Sequence, residues 1–318
     1  MTRSQSRRSH LSKIAGAVLV LTLVPLVFGG GRVEAELLTG LTSTGNLVTF
    51  DSSTPGTIAS SLAIAGIGSE TLLGIDRRPA TGILYVLGSG NHLYTINTTT
   101  GAATAVGPAF SPALSGTAFG FDFNPVPDRI RVTSTDTSNF RLNPNDGTVA
   151  GTDTSLTYAA GDSGAGLAPR VVGSAYTNNF NGTAVTTLFG IDSNRNVLVI
   201  QGGPNGTPSP NGGVLTTIGT GLGFDTSDLV GFDISGTSGL AFASLVAPTG
   251  GAAQLFTINL STGTATLVGT IGNGLTLTGL AAGVGSAPTV PVPSSFVLLG
   301  TGALVLIARA RRRRVAAA

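Results

Sequence analysis

The strongest constraint on the fold of this chain is a recurring unit of short alternating strands. A strand ending in Gly, an apolar residue and Asp occurs four times, at Gly74-Ile75-Asp76, Gly120-Phe121-Asp122, Gly190-Ile191-Asp192 and Gly231-Phe232-Asp233. A second element recurs at Leu93–Gly107 (LYTINTTTGAATAVG) and Leu255–Gly269 (LFTINLSTGTATLVG), with fainter copies at Leu47–Gly66 and Phe140–Thr152. Each copy reads as a strand, a polar turn closing on Gly, then another strand.

One unit holds four strands, which in the second unit are Leu72–Asp76, Ile83–Leu87, Leu93–Asn97 and Ala102–Gly107. Further units begin near Phe119, Val172 and Leu229. The stretch Leu37–Gly66 supplies only three strands and Leu277–Gly283 only one, so the two fragments sum to one unit. That is how a ring closes by joining both ends of a chain. Glu36–Gly285 is 250 residues, or 50 per unit, a length that suits a four-stranded blade. The expected fold is all-β: a five-bladed β-propeller of four-stranded blades closed by N- and C-terminal strands. A β-solenoid or large β-sandwich is the alternative architecture.

The segments flanking the body read as addresses. Residues 1–35 form a signal peptide: a basic start, the apolar run Ile14–Phe28, then Val33-Glu34-Ala35 before a cut between Ala35 and Glu36. Fifteen apolar residues fall short of the roughly 17–25 of a stable span, so cleavage is expected. Arg7 and Arg8 in Ser6–Leu11 resemble a twin-arginine export box, the alternative to the general secretory route.

At the other end lie a Pro-rich linker (287–295), a short hydrophobic helix (296–308) and a basic cytoplasmic tail (309–318). Val290, Pro291, Pro293 and Ser294, followed by that helix and an Arg run, resemble the PEP-CTERM sorting signal of exopolysaccharide-producing Gram-negative bacteria. Val292 stands where that motif has Glu. The resemblance implies processing by an exosortase-type enzyme. The physical logic is a stop-transfer segment held by positive charge on the cytoplasmic side, hence a transient or short membrane anchor.

Charge separates the ends from the body. Within Glu36–Ser295 seven Arg face fourteen Asp and Glu, a net of −7, although the whole chain is +2. An acidic body repels phosphate backbones, which argues against nucleic acid as a partner. Zero Cys removes disulfides, thiolate metal sites and thiol nucleophiles. The body offers Glu36 and Glu70 as its only Glu and His92 as its only His. That set is poor for hydrolysis, where an acid and a second carboxylate must face each other. His92, in the turn Gly90-Asn91-His92, is expected to be solvated.

Asp76, Asp122 and Asp233 close the first strands of their units, and Asp192 occupies a related strand. Near a channel such carboxylates suit Ca²⁺ or a sugar; the blander reading makes each a cap for the following turn, and we take the cap. Asp192, Asn194 and Asn196 have the alternate spacing of a Ca²⁺ loop, but Val197 stands where an EF-hand has Gly. In the segment Ala118–Arg131 (AFGFDFNPVPDRIR), Asp122, Asp128, Arg129 and Arg131 suit either an anionic ligand or an internal salt bridge that fixes the turn Asn124–Asp128, and we take the salt bridge.

That segment, followed by Gly161-Asp162, Pro169-Arg170, Ala175–Asn178, Leu188–Asp192, Gln201 and Gly231–Ile234, resembles the bacterial domain of unknown function 4394 family. The resemblance covers about Leu38 to Gly283 and implies no activity. The functional expectation is an exported, non-enzymatic binding or structural propeller of the periplasm, outer surface or matrix. Its partners would be the export machinery and a polysaccharide or surface protein, with no resident cofactor. The alternative is a calcium-dependent hydrolase or lactonase acting on an extracellular carbohydrate or ester.

Overall fold

The computed structural model describes residues 35–286. Residues 1–34, with Arg7 and Arg8, and residues 287–318, with the sorting motif at Val290, Pro291, Pro293 and Ser294, lie outside them. Ala35 is exposed, whereas Glu36, on the other side of the expected cut, is buried.

Five antiparallel sheets form a ring, a five-bladed β-propeller. Blade 1 begins with β1 (Leu37–Thr42), β2 (Asn46–Asp51) and β3 (Ile58–Ala63). Blade 2 is β4 (Leu72–Arg77), β5 (Leu84–Gly88), β6 (Leu93–Ile96) and β7 (Ala103–Ala105). Blade 3 is β8 (Phe119–Asn124), β9 (Arg129–Ser134), β10 (Asn139–Leu142) and β11 (Val149–Thr152). Blade 4 contains β13 (Val171–Tyr176), β14 (Leu188–Asp192), β15 (Val197–Gln201) and β16 (Val214–Ile218). The two-residue strand β12 (Thr157–Tyr158) adds to its rim, parallel to β16. Blade 5 is β17 (Val230–Ile234), β18 (Ala241–Leu245), β19 (Gln254–Ile258) and β20 (Ala265–Thr270). The last strand, β21 (Leu277–Ala281), pairs with β1 and becomes the inner strand of blade 1, pairing Thr39 with Ala281 and Gly40 with Leu280.

Burial follows position in the blade. Inner strand β17 is buried at every residue, so it reads as a continuous apolar run. Outermost strands such as β3 and β20 are mostly exposed, which suits their Thr, Ser and Ala. The third-to-fourth-strand turns share one chemistry: Asn97 and Asn259 accept amide bonds from the two turn residues that follow, and Gly101 and Gly263 close the turns at φ near +75°. Only Gly adopts that conformation without strain.

The five inner strands pack directly on one another through glycine. A β-carbon on Gly74 would lie 2.6 Å from Phe121 Cβ, on Gly173 2.9 Å from Phe232 Cβ, on Gly231 2.7 Å from the Gly279 carbonyl carbon, and on Gly279 2.7 Å from Ile75 Cγ2. Gly120 makes the equivalent approach to Ser174. Each blade thus leans on the next, and this collar leaves only about 10 Å³ of space along the axis. Apolar clusters fill the seams between blades 1 and 2, 2 and 3, 4 and 5, and 5 and 1. The seam between blades 3 and 4 is built differently.

Candidate functional site

The inner strands place equivalent residues around the axis: Asp76, Asp122, Ala175, Asp233 and Ala281. The three aspartates are each 1% exposed, and one oxygen from each lies within 4.8 Å of the others. They do more than cap their own turns. Asp76 accepts from the Phe123 amide (2.8 Å), Asp122 from the Tyr176 amide (2.8 Å) and Asp233 from the Ala282 amide (2.6 Å). Each aspartate therefore clasps the inner strand of the next blade. The chain leaving β21 then crosses this end of the ring: Gly236 donates to the Gly283 carbonyl and Gly285 donates to the Asn179 carbonyl.

Burial, then mutual repulsion, raises Asp76 and Asp122 well above the usual carboxylate range, and burial raises Asp233 to about 6. Asp76 and Asp122 approach each other within the 4.8 Å of the cluster, so ionising one makes it harder to ionise the other. Glu36, also buried, accepts from the Ser235 hydroxyl through Oε2, while its Oε1 and both side-chain polar atoms of Asn179 are buried without a partner among the described residues.

Asp192 does not join this group. It sits on β14, the second strand of blade 4, where Oδ1 accepts the amides of Asn194 and Arg195 and Oδ2 accepts the Tyr158 hydroxyl. Asn196 is committed to Asp225 and to the Thr226 amide. The loop proposed for calcium is thus held as a hydrogen-bonded turn. His92 is half-buried, not solvated: Nδ1 meets Glu70 Oε1 at 2.7 Å, and Tyr94 donates to the same oxygen at 2.8 Å. Burial raises Glu70, but its bonds from Gly90, Tyr94 and His92 outweigh that and lower it; burial and Glu70 push Tyr94 up to about 12.

The signature segment is also wired between blades. Asp128 pairs with Arg78 of blade 2, not with an arginine of its own turn. Arg131, 1% exposed, donates to Asp153 (2.5 Å), Asn139 (2.6 Å) and Asn211 (2.7 Å). Arg141 reaches the same Asp153 through Nε and Nη2, both at 2.8 Å. Burial would raise Asp153, yet the two guanidiniums lower it. Gln201 and Asn139 continue this polar network across the seam to the Pro210 carbonyl.

Above this seam opens a cleft of about 320 Å³. Asn124 and Pro127 of blade 3 form one wall; Tyr176, Thr186, Asn205 and Asn211 of blade 4 form the other. Among the described residues, Arg141 is the only charged one that lines it. The cleft was not anticipated from sequence. Only the unusual pair of arginines on facing strands hints at it.

A closed ring of five four-stranded blades, with its carboxylates shut in the axis and its open cleft between two blades, defines a small β-propeller. The chain belongs to the family described as domain of unknown function (DUF4394), whose model matches residues 46–281. No curated protein matches the chain. Among solved structures it is similar to a nidogen/laminin complex, at 12% identity and a TM-score of 0.46, over 80% of this chain and 100% of that one. It is also similar to PorZ, a surface component of the type-IX secretion system of Porphyromonas gingivalis, at 13% identity and a TM-score of 0.36. That match covers 73% of this chain and 29% of PorZ.

Proposed function

We propose that this protein is an exported, non-enzymatic binding propeller of the envelope or extracellular matrix of a Gram-negative bacterium. One observation carries the reading: the clustered carboxylates and the open cleft are different places. Carboxylate catalysis needs the acid and base to touch the substrate. Asp76, Asp122 and Asp233 are 1% exposed and occupied with backbone amides, whereas the described residues that line the cleft offer amides, hydroxyls, apolar side chains and one guanidinium, with no acid. The signal peptide and the sorting signal support export, with the export machinery and an exosortase-type enzyme as processing partners. The cleft supports a polysaccharide or surface-protein ligand.

The test is a glycan and polysaccharide binding screen, with and without Ca²⁺, run beside hydrolysis assays on the same compounds. Binding without turnover is the expected result. Turnover that disappears in Asp76→Asn would sink the reading.

A second reading, a calcium-dependent hydrolase or lactonase, is favoured by the approach of three carboxylates within 4.8 Å and by the unpartnered oxygen of Glu36, whose charge acts on Asp233. It requires turnover that depends on Ca²⁺ and on Asp122.

A further inference from the structure

We propose that the cleft between blades 3 and 4 binds a carboxylate-bearing saccharide, with the acid group seated on Arg141. The inference rests on the binding-module reading and names the ligand class of that same cleft.

Comparison of the blades isolates the feature. Reading outward from the axis along one ladder row, blade 1 has Ala281, Thr39, Thr49 and Ser60, and blade 2 has Asp76, Tyr85, Thr95 and Thr104. Blade 4 has Ala175, Phe189, Ile200 and Thr216, and blade 5 has Asp233, Phe242, Thr257 and Thr266. Blade 3 alone has Asp122, Arg131, Arg141 and Gly151. Two guanidiniums stand directly opposite each other where the other blades carry aromatic, aliphatic or hydroxyl side chains. Like charges in that relation are destabilising, and buried charge costs more than the apolar packing of the other four seams.

The charges do not cancel. Arg131 and Arg141 share one carboxylate, Asp153, and the remaining partners of Arg131 are the neutral Asn139, Asn211 and Tyr176. Asp122, opposite Arg131 in the ladder, is itself pushed towards its neutral form by burial and by Asp76. A single positive charge is left at the edge of the cleft, in a body whose net charge is −7. Among the described residues Arg141 Nη1 has no hydrogen-bond partner, since Nε and Nη2 are taken by Asp153. Gly151 makes room for that placement: a β-carbon there would lie 2.9 Å from Arg141 Cζ.

One uncompensated charge matches one carboxylate group of a ligand, and the delocalised guanidinium suits that group. The amides of Asn205 and Asn211 and the Thr186 hydroxyl suit sugar hydroxyls, and the cleft volume lies near the lower end of the roughly 300–1,000 Å³ of small-molecule sites.

The test is calorimetric titration of the purified full-length chain with trigalacturonate, with its methyl ester, and with sodium acetate and sulfate as bare anions. Trigalacturonate is expected to bind. Esterification, or Arg141→Met, is expected to raise Kd by about tenfold or more, the size of one hydrogen bond to a charged group. Asn205→Gly, which keeps the left-handed backbone of this exposed turn, should weaken binding several-fold with Tm unchanged. Equal binding of acid and ester, or indifference to both substitutions, overturns the ligand class and leaves the binding-module reading standing. Sulfate binding as tightly as trigalacturonate overturns the saccharide part. Failure of trigalacturonate to bind while other glycans do overturns the inference alone; turnover of glycans at the axis overturns the wider reading.

Discussion

Gly279, on the last strand, lies so close to Ile75 of blade 2 that a β-carbon would sit 2.7 Å from Ile75 Cγ2. The relation repeats around the ring and sets how tightly five inner strands can surround an axis. At Gly231 the obstructing atoms are backbone, the Gly279 carbonyl carbon and the Leu280 amide nitrogen, both at 2.7 Å, so nothing flexible can yield. Gly231→Ala is therefore expected to cost about 1–3 kcal/mol by overpacking. Gly56→Ala, whose β-carbon would meet nothing nearer than 3.7 Å, is expected to change stability by about 0.5 kcal/mol or less. Urea unfolding of the two variants checks the difference.

The axial aspartates predict an inverted pH profile. Their folded pKa values lie above the unfolded value of about 3.9, so the native state holds protons that the unfolded chain releases. Their contribution is greatest below about pH 4; that of Asp233 is lost as pH rises through about 6, and those of Asp76 and Asp122 as pH rises through their own raised values. Asp122→Asn keeps an acceptor for the Tyr176 amide and removes one of three carboxyls that repel one another at the axis. It is expected to stabilise the protein at pH 8 by on the order of 1–2 kcal/mol and to have little effect at pH 4. A variant whose stability relative to the parent is the same at both values would show that Asp122 holds no extra proton in the folded state.

Blade boundaries were legible to within a residue: units expected near Phe119, Val172 and Leu229 begin at Phe119, Val171 and Val230. Alternation and Asn-to-Gly turns are local signals, so they survive in one sequence. The Gly-apolar-Asp triplet was less faithful. Gly190-Ile191-Asp192 lies on a second strand, while the inner strand of blade 4 carries Gly173-Ser174-Ala175, with Ala in place of Asp. Contacts between blades left no local trace. Arg78 finds Asp128 fifty positions away in the next blade, and even within blade 2 Glu70 gathers His92 and Tyr94 from more than twenty positions on. The candidate cleft is of this kind, since its charged row is assembled by ladder register and its opposite wall comes from another blade.

Ring closure can be tested by deletion. Chains ending at residue 272 lose β21, and with it Leu277 and Leu280, both of which pack beside Leu38, Val48 and Phe50. At about 1.5–3 kcal/mol per buried aliphatic side chain, the loss rivals a typical total of about 5–15 kcal/mol. Hydrogen exchange at Leu47–Phe50 should accelerate sharply; unchanged protection there would mean that blade 1 does not depend on its borrowed strand.

Export makes its own prediction. Mass spectrometry of envelope fractions should find an N-terminus at Glu36, and removal of Pro291–Ala318 should release soluble protein. Arg7→Lys with Arg8→Lys should block export only on the twin-arginine route. Recovery of intact Met1–Ala35, or of truncated protein still sedimenting with membranes, would refute the respective step.

The antiparallel pairing of β1 with β21 has a mechanical consequence. Leu37 begins one strand and Ala281 ends the other at the same end of the pair, so tension applied between them peels the ladder one rung at a time. Peeling resists force far less than sliding two strands lengthwise, where all rungs break together. A chain held in a membrane at both ends would load this pairing whenever the surface it hangs from moved. A chain cut before Glu36 and held from the other side alone passes no tension through that pairing, and drag on the body then pulls on the tether rather than on the ring.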